Sequence, residues 1–371
     1  MSSSKEIFEK MFAGGDIKIN GDNPWDMKVH NEGTYNRLLS DGMIGLGESY
    51  MEGWWDCPSL DEFFYRMMYY RVDKLIPNNF NTIKYALKAK YLNMQTKTRS
   101  KVVAHKHYNM GNDLFKGMLD KRMIYTCGYW KTAQTLDEAQ EDKLDLVCRK
   151  LKLEPGMRML DLGCGWGGLA KFAAERYGVS VVGVNISEEQ VNLAREVTKG
   201  LPVEIRLMDY RDINEKFDRV ASVGLMEHVG YKNYRSLMEV AARCMDDESI
   251  FLLHTIGGNF SQIKTDPWID KYIFPNGMLP SPPQISTAAM GLFTLEDWHN
   301  FGIYYDRTCM EWLHNFKQSW PELRDKYGDT FYRMWEFYLS GCAASFRARK
   351  NHLWQVVYRK SKSLGLYEPV R

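Results

Sequence analysis

The segment with the clearest chemical signature is the glycine-rich run at residues 160–168, which reads LDLGCGWGG. It follows a short apolar run and precedes a helical pattern, so the glycines fall at a strand-to-helix turn. Gly163 and Gly165 would let the backbone pass close to a ligand, and Gly168 would permit tight packing of the helix on the strand. The N-terminus of the following helix adds unpaired N–H groups. This pattern predicts a nucleotide-cofactor site.

Two classes of cofactor are compatible with such a turn. The residues match G-x-G-x-x-G literally, as in nicotinamide and flavin enzymes, which place an acidic residue about 20 positions further on. Here that position is Asn185. Asp161 stands two residues before the first glycine, where a carboxylate can meet a cationic ligand such as the sulfonium amino acid S-adenosylmethionine. The sequence therefore favours S-adenosylmethionine over a dinucleotide.

The elements around the turn alternate between strands and helices. Helical patterns at 169–177 and after a capping box at 187–190 separate short β-branched runs. This alternation predicts βαβ units and a parallel sheet, and hence the α/β class. A proline cluster between about 273 and 286 predicts a long loop after the fifth strand. The predicted strands are 157–162, 179–184, 203–208, 217–223, 249–255 and a last one at 354–358.

The first 75 residues are predicted to form a small N-terminal accessory domain. Residues 59–62 read as a capping box, and the helix that it opens carries apolar residues at positions 60, 63, 64, 67 and 68. We expect this apolar face to pack within its own unit, with a dimer or lipid contact as the alternative. Beyond it we predict a basic linker at 76–106 and a catalytic domain at 107–371.

Composition narrows the class of protein further. The 371 residues are 44% hydrophobic, 13% aromatic and 26% charged, which excludes a disordered tail, a collagen-like fibre and a polytopic membrane protein. No apolar run approaches the roughly 18 residues of a membrane span, and the polar start lacks a signal-peptide core. The seven cysteines are scattered without a CxxC pair, so we expect neither disulfides nor a metal site. A cytoplasmic protein is expected.

The net charge of +2 conceals a basic segment at residues 74–112, which contains no Asp or Glu. Apolar residues alternate with its cations, as in a surface that meets anionic headgroups or nucleic acid. A solvated linker helix is the alternative interpretation. Its cations are Lys74, Lys84, Lys88, Lys90, Lys97, Arg99, Lys101 and Lys106.

The D-x-G-x-G-x-G form of the turn resembles the class I methyltransferases, whose fold is a Rossmann-like seven-stranded sheet. Other segments, spread over nearly the whole chain, resemble one family closely, the cyclopropane-fatty-acyl-phospholipid synthases. The resemblance includes the N-terminal unit, which separates this chain from the single-domain mycolic acid relatives. The segments that carry it are 45–51 with 53–55, 107–115, 125–130, 160–169, 226–230, 252–257, 272–277 and 298–302.

The resemblance implies a set of residues for S-adenosylmethionine. In class I methyltransferases an acidic or amide residue after the second strand holds the ribose, and an acid after the third meets the adenine. These would be Asn185 and Asp209. With Asp161 from the turn, the implied cofactor-binding residues are Tyr125, Thr126, Asp161, Gly163, Gly165, Asn185, Ile186, Gln190, Asp209 and Tyr210.

The resemblance also implies the reaction. The sulfonium methyl is held in line with a cis alkene of an acyl chain, transfer leaves a carbocation, and loss of a proton from the new methyl closes a cyclopropane ring. The pocket should be dry and walled by aromatic faces, which stabilise a cation. The family is understood to use a bound bicarbonate ion as the base. Its implied holders are Cys127, Glu227, His254, Tyr305 and the backbone of Ile256.

The implied bicarbonate holders have suitable chemistry. A neutral histidine and a tyrosine hydroxyl can donate to the anion, while Glu227 can accept the bicarbonate O–H. Glu227 and His254 follow the fourth and fifth predicted strands, and ligands of open parallel sheets bind beyond the carboxyl ends of strands. We therefore expect the two side chains to converge. The alternatives are a satisfied buried histidine for His254 and an inert buried thiol for Cys127.

The implied partners follow from the substrate. An acyl chain esterified in a phospholipid bilayer is reached from the membrane surface, so the resemblance implies peripheral association with the inner face of the membrane, a homodimer and no nucleic acid. Three alternatives stay open. They are a methyltransferase acting on a lipid or small amine without ring closure, a nicotinamide oxidoreductase, and a catalytically silent lipid-binding protein.

Overall fold

The computed structural model describes residues 3–76, 111–263 and 265–371. They divide into two compact units. The described residues of the first unit are 3–76, 265–275 and 305–351, and those of the second are 111–263, 276–304 and 352–371. The first unit joins the N-terminal residues with 305–351, which the sequence analysis groups with the catalytic domain. The predicted basic linker lies outside the described residues, apart from its first residue.

The secondary structure comprises the following helices and strands. The helices are α1 Ser4–Ala13, α2 Gly33–Asp41, α3 Met43–Met51, α4 Leu60–Tyr69, α5 Asn112–Met118, α6 Leu136–Lys150, α7 Gly168–Tyr177, α8 Glu188–Val197, α9 Met226–Val229, α10 Tyr234–Arg243, α11 Pro267–Tyr272, α12 Pro282–Ala289, α13 Ile303–Tyr327 and α14 Asp329–Arg347. The strands are β1 Lys28–Val29, β2 Trp55–Asp56, β3 Arg158–Leu162, β4 Ser180–Asn185, β5 Val203–Leu207, β6 Phe217–Val223, β7 Met245–Gly258, β8 Phe293–Asn300 and β9 Asn351–Lys360. Short 3₁₀ turns occur at Val72–Lys74, Tyr210–Asp212 and Tyr231–Asn233.

Seven strands form one sheet in the order β5-β4-β3-β6-β7-β9-β8. The pairs of β3 with β4 and β6, of β4 with β5, and of β6 with β7 are parallel, whereas β8 and β9 are antiparallel. The order reverses beside β3, and ligands of such sheets bind in the crevice outside the carboxyl ends of the strands at this point. The expected seven-stranded Rossmann-like sheet is therefore present.

Both faces of the sheet are buried, which explains the apolar runs in the sequence. Met159 and Val181 belong to a core cluster with Leu144, whereas Leu160 and Val182 belong to a second cluster. Because successive strand residues point to opposite faces, the two clusters fill opposite sides of the sheet. The strands that carry the site are held in place by this burial.

In the first unit, α4 buries the predicted apolar face against α14. Phe64 meets Phe337 edge-on with ring centroids 4.7 Å apart, and Leu60 and Phe63 are also buried. The helix begins where the sequence predicted, but the predicted capping box is wrong, because the Ser59 side chain makes no capping hydrogen bond. Asp61, which follows the cap, instead accepts from Arg347 at 2.8 Å.

Two further predictions differ from the structure. The proline cluster does not exclude helix over its whole length, because α12 begins at Pro282 and is capped by Ser281. A proline is tolerated in the first turn, where its missing N–H would have no partner within the helix. The loop is therefore shorter than expected. Strand β8 was not predicted, because its mixture of polar and apolar residues lacks a buried β-branched run.

Candidate functional site

The glycine turn connects β3 to α7 and is tied to the neighbouring strand. The N–H groups of Gly163 and Cys164 both donate to the carbonyl of Val184, at 3.0 and 3.1 Å. Gly165 has a φ of +53°, and a Cβ added there would meet nothing within 4 Å. The backbone at Gly165 is therefore open to a ligand, as the sequence predicted.

Gly168 is needed for a contact that was not predicted from the sequence. A Cβ at this position would lie 2.3 Å from Ile124 Cδ1 and 2.6 Å from the carbonyl oxygen of Arg122. The glycine therefore makes room for the segment before the sheet at the start of α7. Its predicted part in packing the helix on the strand stays a prediction.

Asn185, the last residue of β4, holds the loop behind the turn. Its Nδ2 donates to the carbonyl of Gly165 at 3.2 Å and to Gln190 Oε1 at 2.8 Å, while its Oδ1 accepts from the N–H groups of Ile186 and Ser187. An amide has two donors and two lone pairs on its oxygen, so these bonds use its full capacity. Asn185 thus supports the turn, and its predicted contact with a ribose stays a prediction.

The predicted capping box at 187–190 is half formed, and the reason lies in the same network. Ser187 accepts from the Gln190 N–H and caps α8. The Gln190 side chain does not return to the cap, because its Oε1 is engaged by Asn185. The side-chain oxygen of Gln190 is thus occupied, and its NH2 group is the part of the side chain that can donate a hydrogen bond.

Asp161 lies within β3 and is 2% exposed, with Oδ2 lacking a hydrogen-bond partner among the described residues. Burial raises the pKa of its carboxyl to about 7, an effect that Lys143 opposes. A buried carboxylate oxygen without a partner is costly unless a donor or a cation meets it. The residue fits the ammonium group of an amino-acid ligand.

Asp209 and Tyr210 follow β5, as the sequence predicted. Arg211 donates from Nε to Asp209 Oδ1 at 2.8 Å and from Nη2 to Asp209 Oδ2 at 2.7 Å. This two-bond contact was not predicted from the sequence, although a guanidinium two residues from a carboxylate was a signal for it. Burial raises the pKa of Tyr210 to about 12, and its hydroxyl has no hydrogen-bond partner within the described ranges.

The segment 125–127 approaches the ends of β6 and β7. The Thr126 Cγ2 lies 2.9 Å from the position of a Cβ on Gly224, whose φ is +72°. Gly224 itself donates to the carbonyl of His254 at 2.9 Å. Tyr125 packs edge-on against Phe115 at 5.3 Å. A predicted cofactor-binding residue, Thr126, is thus brought close to the chain that carries His254.

Glu227 lies in α9, four residues after β6, and is fully enclosed. Its Oε1 accepts from the Ile256 N–H at 2.6 Å, and its Oε2 has no partner among the residues described. Burial raises the pKa of the carboxyl to about 7, which the Ile256 N–H and the Thr255 hydroxyl oppose. The Ile256 N–H, predicted to meet bicarbonate, therefore binds Glu227 in this structure.

His254 is 0% exposed and lies inside β7, paired with Val223 at the end of β6. The prediction that it follows its strand was wrong, because β7 continues to Gly258. The amide NH2 of Gln355 lies 3.3 Å from Nδ1. Burial, together with Lys143 and Lys150, holds the pKa of His254 well below its usual range, so the ring is neutral at pH 7.

The contact with Gln355 also sets the tautomer of His254. If Nδ1 accepts from the amide, the ring proton is on Nε2, where no acceptor is present in the described part of the chain. Nε2 is therefore a buried donor without an acceptor. The satisfied buried histidine considered from the sequence is not what the structure contains.

Aromatic rings enclose this region within the second unit. Phe301 contacts His254 at 6.0 Å, Tyr129 at 5.2 Å and Tyr304 at 6.3 Å between ring centroids. Cys127 is also buried, and its Sγ lies 3.2 Å from the carbonyl oxygen of Gly128. These side chains provide an apolar surrounding beside a neutral imidazole.

Tyr305 belongs to the first unit, on the first turn of α13. Its ring stacks on Phe346 at 4.4 Å with an interplanar angle of 15°, and it meets Trp312 edge-on at 5.9 Å. Its predicted place beside Cys127, Glu227 and His254 stays a prediction.

Fold and site together define the class of protein, a class I S-adenosylmethionine-dependent methyltransferase. The chain is similar to the cyclopropane synthase MmaA2 from Mycobacterium tuberculosis, with a TM-score of 0.67 and 28% identity over 70% of this chain and 98% of that one. It is also similar to mycolic acid cyclopropane synthase CmaA1 complexed with SAH and CTAB, with a TM-score of 0.66 and 30% identity over 70% and 98% of the two chains. The predicted fold class is confirmed.

The chain belongs to the mycolic acid cyclopropane synthetase family, whose family model matches residues 95–356. It is 49% identical over 360 residues to the cyclopropane-fatty-acyl-phospholipid synthase of Escherichia coli (strain K12), covering 97% of this chain and 94% of that protein. A probable fatty acid methyltransferase of Pseudomonas putida is 34% identical over 71% of this chain and 70% of its own length. The predicted family is confirmed, and a nicotinamide oxidoreductase is excluded.

Three polar residues of the site had no motif to identify them. Lys143 donates to Thr126 Oγ1 at 2.8 Å, Gln140 donates to the Thr126 carbonyl at 2.7 Å, and Gln355 contacts His254. Gln140 and Lys143 are three positions apart and so share a face of α6. Their presence on the buried face of an amphipathic helix was the available signal.

Proposed function

We propose that this protein converts cis double bonds of phospholipid-esterified unsaturated acyl chains into cyclopropane rings. The observation that supports this best is the pair of buried, unpartnered polar atoms Glu227 Oε2 and His254 Nε2 at the carboxyl edge of the sheet. Ring closure needs a base beside the reacting carbon, and two buried polar atoms without partners are placed to hold one. Identity of 49% to a cyclopropane-fatty-acyl-phospholipid synthase over nearly the whole chain supports the same activity.

The turn after β3 would hold S-adenosylmethionine. When bound, that cofactor supplies an electrophilic methyl group on a sulfonium centre. Asp161 would meet its ammonium group, the open backbone at Gly165 would allow close approach, and Asp209 with Tyr210 would face the adenine. Holding the cofactor in a fixed direction would be the main contribution of this half, because a weakly nucleophilic alkene must be aligned with the methyl group in order to react.

His254 and Glu227 would hold bicarbonate between them. His254 Nε2–H donates to an anion, and Glu227 Oε2 accepts an O–H or, with a pKa near 7, shares a proton with the anion. When bound there, bicarbonate would supply the base for the proton that leaves the newly attached methyl, and the electron pair of that C–H bond would close the ring on the cationic carbon. Because the His254 ring is neutral, it adds no positive charge beside the carbocation and so does not destabilise it.

The aromatic cluster would protect this step from water. Phe301 and Tyr129 are buried, and their rings contact each other edge-on. Water at this point would trap the carbocation as an alcohol, so exclusion of water decides the product. Electron-rich ring faces also stabilise positive charge at close range.

The experiment that tests this function uses S-adenosylmethionine carrying a trideuterated methyl group. Purified protein is incubated with vesicles of unsaturated phospholipid, and the acyl chains are analysed by mass spectrometry. Ring closure requires loss of a deuteron, so the product keeps two of the three. Retention of all three deuterons would show methyl transfer without ring closure, and unlabelled lipids would direct the search to another acceptor.

The family acts on lipids, and we propose that this chain binds an anionic bilayer through its basic segment. No described helix is long and apolar enough to cross a membrane. Replacement of Lys84, Lys88 and Lys90 by Glu should reduce co-sedimentation with anionic vesicles at least tenfold, because each cation near such a surface contributes about 1 kcal/mol. The matched control replaces three exposed lysines of the second unit, Lys131, Lys199 and Lys362. Equal loss in both variants would contradict the assignment.

We also propose that the protein is a homodimer, as the resemblance implies. Sedimentation equilibrium of the full chain measures this directly. A mass near twice that of the 43.3 kDa chain is expected. A monomer at micromolar concentration would remove the proposal without affecting the proposed reaction.

A further inference from the structure

Lys143 has a fully buried ammonium group for which neither the cofactor set nor the bicarbonate set provides a role. The residue lies on α6 and is 0% exposed. Its Nζ donates to Thr126 Oγ1 at 2.8 Å, and no carboxylate of the described residues lies within ion-pair distance of it. A buried cation without an ion-pair partner carries a large desolvation cost. Such a position calls for a functional explanation.

Thr126, the partner of Lys143, is fixed at three points. Gln140 Nε2 donates to its main-chain carbonyl at 2.7 Å. Its Cγ2 packs at Gly224, where a side chain could not be accommodated. Because the methyl group and the main-chain carbonyl are both held in place, the position of Oγ1 is also fixed, and it faces Lys143. The side chain of Thr126 is therefore locked in a single rotamer.

The chemistry of the contact determines what the Thr126 hydroxyl can do. An ammonium group only donates, so Thr126 Oγ1 must act as the acceptor toward Lys143. The hydroxyl proton is then free to be donated elsewhere, and only an acceptor can take it. Burial lowers the pKa of Lys143 to about 8, while Asp120, Cys127 and Asp161 oppose that shift. A pKa of about 8 makes the ammonium the more populated form at pH 7.

We propose that Lys143 is a positioning residue for S-adenosylmethionine, which orients the Thr126 hydroxyl as a donor to the carboxylate of the cofactor's methionine part. The inference rests on the proposed function, since Thr126 is implied in cofactor binding. Asp161, whose Oδ2 has no partner among the described residues, then meets the ammonium of the same amino acid, so that the ammonium and the carboxylate each have a separate partner. Lys143 acts through Thr126 and touches no reacting atom.

A double-mutant cycle on S-adenosylhomocysteine binding tests this inference. Thr126→Val removes the hydroxyl and keeps the shape, and Lys143→Met removes the cation and keeps the length. Each single variant should weaken binding about tenfold in titration calorimetry, the effect of one well-placed hydrogen bond. The double variant should bind no more weakly than Thr126→Val alone, because both changes remove one interaction. Thr126→Ser should restore affinity to within threefold of wild type.

Lys150 provides a matched control on the same helix. It is equally buried, but its ammonium contacts Asp297 and His299. Lys150→Met should leave affinity for S-adenosylhomocysteine within twofold of wild type, whatever its effect on melting temperature. Lys143→Met should raise KM for S-adenosylmethionine while kcat changes less than threefold, since it removes binding shared by ground and transition states.

Three results would overturn the inference. They are unchanged affinity in Lys143→Met, losses that multiply in the double variant, and an equal loss in Lys150→Met. If Lys143→Met does not fold, Lys143→Gln replaces it. This variant keeps a hydrogen-bond donor and should bind S-adenosylhomocysteine within threefold of wild type. A tenfold loss of affinity would contradict the positioning role of Lys143. Failure of the wild-type protein to bind S-adenosylhomocysteine would count instead against the proposed function.

Discussion

The cofactor half and the reaction half of the site satisfy their polar groups in different ways. In the cofactor half, Asn185 uses all of its hydrogen-bonding capacity inside the protein, and Asp209 is matched by Arg211. In the reaction half, Glu227 and His254 each bury an atom without a partner in the described ranges. The polar groups of the cofactor half are thus mostly satisfied within the protein, whereas those of the reaction half need a ligand to satisfy them.

Two groups of the cofactor half depart from this pattern, the Tyr210 hydroxyl and Asp161, and the more informative of them is Asp161. It lies in the cofactor half, yet its Oδ2 has no partner among the described residues. It is also the residue placed to meet a charged part of the cofactor. An unmatched atom is therefore expected to lie where a ligand binds, in either half.

The largest effect should follow from Glu227→Gln, which removes the anion of the reaction half and keeps the side-chain shape. Ring formation should fall about 1,000-fold, within the range for loss of a proton-transfer group, while affinity for S-adenosylhomocysteine changes less than threefold. Product analysis by mass spectrometry and titration calorimetry measure the two quantities. Glu239→Gln, on an exposed ion pair, is the control. A loss of ring formation below tenfold in Glu227→Gln would contradict the role given to this carboxyl group in the reaction half.

The next effect should follow from Asp161→Asn in the cofactor half. Loss of one charged contact should weaken binding of S-adenosylmethionine about 30-fold, while kcat at saturation stays within fivefold. Steady-state kinetics over a range of cofactor concentrations separates the two. If kcat falls as steeply as in Glu227→Gln, the two halves are not distinct.

A smaller loss should follow from Asn185→Asp, although an acid is common at this position in related folds. The new carboxylate would face the Gly165 carbonyl and Gln190 Oε1, two acceptors that now receive hydrogen bonds. Affinity for S-adenosylhomocysteine should therefore fall about tenfold. Unchanged or tighter binding in calorimetry would show that the position holds the ribose directly.

The smallest effect concerns stability and its dependence on pH. The pKa of Glu227 is raised to about 7 in the folded protein, so ionisation between pH 5 and pH 8 favours the unfolded state. Glu227→Gln should therefore be more stable than wild type at pH 8 by at least about 1 kcal/mol, and show little difference at pH 5. Urea unfolding at both pH values measures this. An equal difference at both would contradict a buried carboxyl with a raised pKa.

Much of the fold could be predicted because burial on both faces of a parallel sheet leaves a strong pattern. The run that became β3 is mainly apolar, those that became β4, β5 and β6 contain β-branched residues, and their observed ends fall within about two residues of the predicted ones. Strand β8 left no such pattern, because its sequence mixes polar residues such as Glu296 and Asp297 with apolar ones and has no β-branched apolar run. Edge position alone does not decide the outcome, since β5 also lies at an edge of the sheet and was predicted.

Site residues could be predicted where a motif or the resemblance identified them. The residues that hold those side chains in place could not. The glycine turn and Glu227 were named from the sequence. Lys143 and Gln355 were not, because a polar residue on an otherwise apolar face does not show which group it contacts until the packing is known. The partners that orient a site are therefore the part that needs a structure.

Bicarbonate dependence of turnover tests the central claim most directly. Wild-type protein is assayed with unsaturated phospholipid vesicles in carbon-dioxide-free buffer, before and after bicarbonate is restored, with binding of S-adenosylhomocysteine measured in both. We predict that depletion lowers ring formation at least tenfold, that restoration recovers it, and that cofactor binding is unchanged. Equal ring formation in both buffers would contradict the account, because Glu227 and His254 would then have no ligand to complete them.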